Sequence, residues 1–200
     1  MLDVPFFRRP LPALKGEKVF LRAPSMHDHG EWAALRQNSR SFLEPWEPRW
    51  APDELSRSAF RQRLRRYRSD FDQGTGVSFF LFETRSKALV GGLTLSNIRR
   101  GVAQTASMGY WMGEPYAGRG MMLDAVRLVI PYAFETLRLH RLEAACIPDN
   151  NRSVGLLEKA GFQREGLLKS YLRINGSWRD HYLYALIAEE RRVPAFEQRG

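Results

Sequence analysis

GEPYAGRGMM, residues Gly113 to Met122, sets two glycines around an arginine between two apolar runs. Upstream, residues 106–112 (ASMGYWM) are short, aromatic and strand-like. Downstream, in residues 121–137 (MMLDAVRLVIPYAFETL), Met122, Ala125, Val126, Val129 and Ala133 recur at the spacing of one helix face. The glycines therefore sit in a strand-to-helix turn. A helix start leaves its first backbone N–H groups unpaired and carries partial positive charge, which suits an anion. Gly118 and Gly120 permit close backbone approach and left-handed dihedrals there.

Outward from this turn the chain reads as one mixed α/β unit. KVFLRAP (18–24) predicts a strand ended by Pro24, and MHDHGEWAALRQNS (26–39) a helix with Trp32 and Leu35 on one face. RSFLEPWEPRW (40–50) is too irregular for a helix and too apolar for a plain linker. A second helix is expected over residues 52–71, broken by DQGTG. VSFFLFET and ALVGGLTLSNI read as strands joined by Arg85-Ser-Lys87 in a hairpin. Pro131 is expected to kink the long helix after the glycine turn. HRLEAACI (140–147) reads as a strand and NNRSVGLLEKA (150–160) as a short helix stopped by Gly161, with Phe162 packing back. Residues 164–187 suggest two strands about an Asn-Gly turn. The expected organisation is an extension at 1–16, where Pro5, Pro10 and Pro12 oppose regular structure, one domain at 17–188, and a tail at 189–200.

Two hundred residues, 44% hydrophobic and 12% aromatic, suffice for one substantial core. Lys and Arg total 31 against 22 acidic residues, a net charge of +9 that favours an acidic partner. Only five of these cations are lysines, and arginine bias of that kind also follows from genomic base composition. Cys146 is alone, so no intramolecular disulfide forms and a reducing compartment fits. No apolar run approaches the ~20 residues of a membrane span, and residues 1–12 lack a signal-like apolar core. A cytoplasmic protein without a membrane partner is expected. His27, His29, His140 and His181 are scattered without metal-ligand spacing, so no metal is expected.

Three phosphate-binding readings compete for the glycine turn. A P-loop requires Gly-Lys-Ser/Thr, but Met121 and Met122 follow Gly120. A dinucleotide fold requires a third glycine where Leu123 stands. The third is coenzyme A pyrophosphate held by backbone amides, and a bare structural turn stands beside it. A second constellation bears on the choice. PDNNRSVGLLEKAGFQREG (148–166) follows a strand, opens a helix with Asn150 and Ser153, and closes it with Gly161-Phe162.

With GYWM and GRGMM, this resembles the GNAT superfamily of acetyl-CoA-dependent N-acetyltransferases over residues 17–188. FLEPWEP (42–48), LHRLEAACIPDNNRS (139–153) and YLRINGSWRDHYLYAL (171–186) are most similar to the RimJ/RimL group, which acetylates N-terminal amines of ribosomal proteins, and within it to the alanine-directed RimJ type. The resemblance implies a twisted mixed sheet flanked by helices and splayed where acetyl-CoA enters. It assigns the pyrophosphate to Gly118, Arg119, Gly120, Met121, Met122 and Leu123, although Ala117 replaces the usual Gln/Arg and Met122 the last glycine or alanine. It assigns pantetheine pairing to the backbone of Tyr110, Trp111 and Met112, with Asn150 touching the pantetheine arm; Asn150 serves equally as a helix cap.

Acyl transfer to an amine requires a neutral amine, stabilisation of an oxyanion and protonation of the departing thiolate. The backbone N–H near Met112 is the expected oxyanion donor. Some relatives protonate the thiolate with a tyrosine whose position here is Leu157, which leaves Ser153 as the acid or a cofactor-positioning group. Their glutamate base falls on Ala145; Glu143, two residues away on the same face, is the substitute, with a water-relayed base or none as alternatives. Cys146 reads as a buried strand cysteine rather than a nucleophile. Glu44, Trp46 and Glu47 form an expected substrate wall or a loop plug. Arg57, Arg61, Arg65 and Arg68 share one helix face, a solvated surface or a contact to ribosomal RNA. The expected reaction is acetylation of a ribosomal protein's N-terminal alanine. The alternatives are a small-amine acceptor (polyamine, antibiotic or amino acid) and a ribosome-assembly or RNA-binding factor with secondary activity.

Overall fold

VSFFLFE at 77–83 buries side chains on both of its faces, as only a central strand covered on both sides can. The computed structural model describes residues 10–189. In chain order the regular elements are β1 (Ala13–Lys15), β2 (Val19–Arg22), α1 (His29–Asn38), α2 (Arg40–Leu43), α3 (Arg57–Gln73), β3 (Val77–Glu83), β4 (Leu89–Arg99), β5 (Thr105–Met112), α4 (Met121–Pro131), β6 (Arg141–Cys146), α5 (Asn151–Lys159), β7 (Gln163–Ile174) and β8 (Ser177–Ile187). The strands form one sheet in the order β1-β2-β3-β4-β5-β6-β8-β7. Every neighbouring pair is antiparallel except β5 and β6.

Alternation along β3 divides the core in two. Phe79 and Leu81 join α4 and Leu157 of α5 on one face, while Phe80 and Phe82 meet Trp32 of α1 and Phe60 of α3 on the other. β5 and β6 pair only from Thr105↔Arg141 to Ser107↔Glu143. Beyond that rung β5 continues with β4 to Met112, and β6 continues with β8 to Cys146. The sheet is therefore splayed at its middle, as the resemblance implied.

Local chemistry explains most boundaries. Ser56 caps α3 by accepting the Ala59 N–H at 3.1 Å, so this helix begins at Arg57 and not near Pro52. Gly74, at φ 70°, ends it. Pro131 closes α4, and a π-helical turn follows over Tyr132–Thr136. Gly161, at φ 93°, stops α5, and Phe162 returns its N–H to the Leu157 carbonyl at 3.0 Å. Asn175 and Gly176 both have positive φ (44° and 86°), as the tight β7–β8 hairpin requires.

Two segments differ from the sequence reading. Strand β1 lies inside the expected extension, where Ala13–Lys15 gain backbone partners on β2. Residues 40–46, read as irregular, form α2 and a 3₁₀ turn, the proline standing near the start of that turn where its missing N–H costs nothing. Residues 1–9 of the extension and 190–200 of the tail lie outside the described residues. Among the described residues no helix is long and apolar enough to cross a membrane.

Asp124, in the first turn of α4, accepts the backbone N–H groups of Lys18 (2.9 Å) and Val19 (3.1 Å) and so ties β2 to the helix start. Asp124→Ala is expected to lower unfolding free energy by about 1–3 kcal/mol, the range for losing charge-assisted bonds to otherwise unpaired donors. Urea denaturation measures this, and an unchanged midpoint would refute the tie.

Candidate active site

The turn between β5 and α4 is set by its glycines. Gly118 and Gly120 have φ of 76° and 77°, a region costly for residues with a Cβ, and Gly120 is the N-cap of α4. The first bond into the helix runs from the Asp124 N–H to the Gly120 carbonyl at 3.1 Å. The N–H groups of Met121, Met122 and Leu123 precede that bond and have no carbonyl one turn back to receive them. Lys18 reaches over from the start of β2, its Nζ donating to the Arg119 carbonyl at 3.2 Å, and adds a cation beside these amides.

This helix start lines a cavity of about 410 Å³ that extends along the end of β5 to the start of α5. Gly113 donates its N–H to Val90 of β4 at 2.9 Å, so strand alternation turns the backbone groups of Met112 and Tyr110 away from β4 and into the gap. One wall therefore offers a row of strand amides and carbonyls. The opposite wall is the start of α5, where the Asn150 side chain accepts the Ser153 N–H at 3.1 Å. Asn150 is thus a helix cap that also lines the cavity.

Of the expected residues, Tyr110, Trp111, Met112, Gly118, Gly120, Met121, Met122, Leu123, Asn150, Ser153, Trp46 and Glu47 all line this cavity. Three do not. Arg119 turns its guanidinium over the Tyr116 ring, 5.7 Å from the centroid. Glu44 pairs with Arg40 at 2.6 Å on the surface. Glu143 sits on the last closed rung between β5 and β6, before the sheet opens, and pairs with Arg141 at 2.8 Å. That placement takes Glu143 out of reach of the cavity, correcting its expected place beside the reacting groups.

Leu157 is a fully buried core residue, so α5 brings no phenol into the cavity. A phenol comes instead from the sheet: the Tyr110 hydroxyl lies 2.7 Å from Ser153 Oγ. Burial pushes the Tyr110 phenol well above its ordinary range, with the Ser153 contact only partly opposing, and the group stays neutral. Burial also pushes the Cys146 thiol up against an opposing Ser153 contact, so it remains protonated, as an inert strand cysteine does.

A second cavity, of about 360 Å³, lies on the α1–α3 face. Its walls include Trp32, Trp50 and Trp111, and its two carboxylates are each held by a guanidinium. Arg36 grips Glu47 with both terminal nitrogens (3.1 and 2.5 Å), and Trp50 Nε1 adds a third bond at 2.8 Å. The Arg36 guanidinium is stacked between Trp50 and Trp111, 4.4 and 5.0 Å from their centroids. Arg63 forms an ion pair with Glu54. The Trp111 indole lies where a Cβ on Gly92 would collide with it, so the bare backbone of β4 is what admits the ring. Asn175, at the β7–β8 turn, donates its N–H to the Glu47 carbonyl at 2.9 Å and fixes that segment. Glu47, Tyr110 and Trp111 border both cavities.

Arg36 and the Tyr110 hydroxyl were missed as site groups by the sequence reading. Arg36 stands one helical turn after Trp32 like any surface arginine, and its partner, Glu47, lies eleven residues on. Among the described residues no cluster of histidine, cysteine and carboxylate side chains could hold a metal ion.

A splayed sheet with a glycine-capped helix start at one end of the opening defines an acyltransferase scaffold. The model of the acetyltransferase (GNAT) domain matches residues 18–163, and the chain belongs to that family; it is an N-acetyltransferase. The [ribosomal protein uS5]-alanine N-acetyltransferase of Escherichia coli is 37% identical over 182 residues, covering 90% of this chain and 94% of that protein. A probable N-acetyltransferase of Bacillus subtilis is 36% identical over 174 residues, covering 87% and 96%. Mycobacterium smegmatis RimJ, solved in complex with CoA-disulfide, superposes with a TM-score of 0.85 at 31% identity, covering 94% of this chain and 92% of that one.

Gly120→Asp places a carboxylate among the free amides of the helix start. Affinity for coenzyme A in calorimetric titration is expected to fall at least about tenfold, or 1.4 kcal/mol. Unchanged affinity in a folded variant would remove this turn from the binding site.

Proposed function

We propose that this chain transfers the acetyl group of acetyl-CoA to the N-terminal α-amine of a protein, with the alanine of a ribosomal protein as acceptor. The observation that carries the reading is the meeting of two cavities at Tyr110 and Trp111, beside the open edge of β5. One cavity has the shape and donors for a long phosphorylated coenzyme. The other leads an amine to the same point.

The residues present fit the coenzyme. Free amides at the α4 start and Lys18 suit its diphosphate, and the turned-out backbone of Tyr110 and Met112 suits the amides of its arm. When bound, the coenzyme supplies an activated thioester. The Met112 N–H, held rigidly in β5, points into the gap where an oxyanion forms and needs no reorganisation to stabilise it. Trp46 lines the coenzyme cavity, and Glu47, fixed by Arg36, borders both cavities and walls the path of the incoming amine. Ser153 lies across the gap from β5 and offers a proton to a leaving sulfur.

The second cavity favours one acceptor class over another. Both of its carboxylates are already neutralised by Arg36 and Arg63, and Arg49 adds a further cation. A single amine on an otherwise neutral chain end is accommodated there, whereas a polyamine leaves its remaining cations without partners. An unpaired buried charge costs about 3 kcal/mol. An alanine-start peptide is therefore expected to exceed spermidine in kcat/KM by about 10²-fold. Comparable turnover of the two would overturn the peptide reading.

The ribosome is the proposed partner, approached through α3. The inner face of this helix walls the second cavity with Arg63 and Tyr67. Arg57, Arg61 and Arg65 are exposed on it without an ion pair among the described residues, whereas Arg68, expected in the same row, pairs with Asp72 at 2.8 Å. Replacing Arg57, Arg61 and Arg65 by alanine is expected to leave peptide acetylation intact and to weaken ribosome co-sedimentation. The log–log salt dependence of binding should flatten by about 2–3, near 0.7–0.9 per lost phosphate contact. Unaltered co-sedimentation would make the row a solvated surface.

A further inference from the structure

The charges around the α1–α3 cavity do not balance. Three guanidiniums and two carboxylates line it, those of Arg36, Arg49, Arg63, Glu47 and Glu54. Arg36 holds Glu47 and Arg63 holds Glu54, so these four cancel in pairs. Arg49 is exposed and has no ion pair among the described residues, which leaves one positive charge at the cavity uncompensated. A second donor is also unspent. The Arg36 side chain is only 8% exposed, and both of its terminal nitrogens go to Glu47. Its Nε is buried and has no hydrogen-bond partner among the described residues. A buried cationic donor left unpaired is unfavourable, and an acceptor oxygen brought in with a ligand relieves it. The walls include Trp32, Trp50, Trp111 and Phe80, whose low polarity strengthens a charge interaction made beside them.

We propose that this cavity selects acceptor chains that carry a carboxylate within the first few residues behind the amine. Arg49, being exposed, meets that carboxylate at the rim. Arg36 is stacked on Trp111, which borders both cavities, so its buried Nε–H meets a main-chain carbonyl nearer the amine. The inference rests on the acetyl-transfer reading above, which asks only for an N-terminal amine, and adds the sign of the charge that follows it. A neutral side chain at the same place leaves Arg49 in water as before. A lysine or arginine there meets Arg49 with like charge and is selected against.

The test is a set of alanine-start peptides that differ only in carrying Glu, Gln or Lys at the second, third or fourth position. At the position that reaches Arg49, the Glu peptide is expected to show a KM about tenfold below its Gln counterpart, with the Lys peptide above both and kcat held. Arg49 is exposed, so Arg49→Glu leaves the core untouched and should invert the order, placing Lys below Gln and Glu. Raising the salt concentration should narrow the wild-type spread, since the pair sits at the rim. Tryptophan fluorescence of the coenzyme A-loaded protein, titrated with each peptide, reads the same order without turnover. Equal KM for Glu, Gln and Lys at all three positions overturns the selection, and so does an unchanged order in Arg49→Glu. Preferential binding of the Glu peptides without acetylation of any peptide would count against the acceptor reading and leave the charge selection standing. Acetylation of all the peptides alike would do the reverse.

Discussion

The parting of β5 from β6 after the Ser107–Glu143 rung is the constraint on which the rest of the site depends. Three residues of parallel pairing hold the sheet together, and then each strand finds a different partner. Backbone groups that a continuous sheet would consume are left facing a slot. Buried amides without partners are costly in a folded chain, so such an opening persists only where something else recovers the cost. Here the outer edges are secured by β4 and β8, and the slot is floored by the large apolar core beneath α4 and α5. The fold thus builds a row of hydrogen-bonding groups in a fixed geometry without spending a single side chain on it.

The glycine-turn end of the slot is assembled by the same economy. Ala117 supplies none of the side-chain help that the family pattern carries at that position, and yet the turn keeps its two left-handed glycines and its unpaired amides. Asp124 anchors the helix start to β2, and in doing so brings Lys18 to the turn. A cation 101 residues from Arg119 in sequence therefore stands at the turn in place of a local one. The α1–α3 side is organised differently. There, buried charges and tryptophans hold one another, with the Arg36–Glu47 pair at the centre.

How far the sequence could be read follows from the range of the interactions involved. The glycine turn, the Asn150 cap, the Gly161 stop and the Asn175-Gly176 hairpin are local, each settled within a few residues, and all were legible. So was the family, since its motifs are backbone motifs. Glu143 was misplaced because its position relative to the slot depends on which rung between two strands is the last, a register that periodicity along one strand does not reveal. Arg36 was invisible because its role exists only once Glu47, Trp50 and Trp111 converge on it. Tyr110 was noticed for its backbone and overlooked for its hydroxyl, whose partner lies 43 residues further along. Strand β1 escaped because prolines around it argue against regular structure, while three backbone rungs to β2 are enough to override them.

The two cavities open on opposite faces of the sheet, and that arrangement governs traffic. Each substrate has its own door, so neither has to leave before the other arrives or departs. On the proposed function, a protein acceptor held against the α1–α3 face leaves the α4–α5 face open, so spent coenzyme can be exchanged there without the acceptor first letting go.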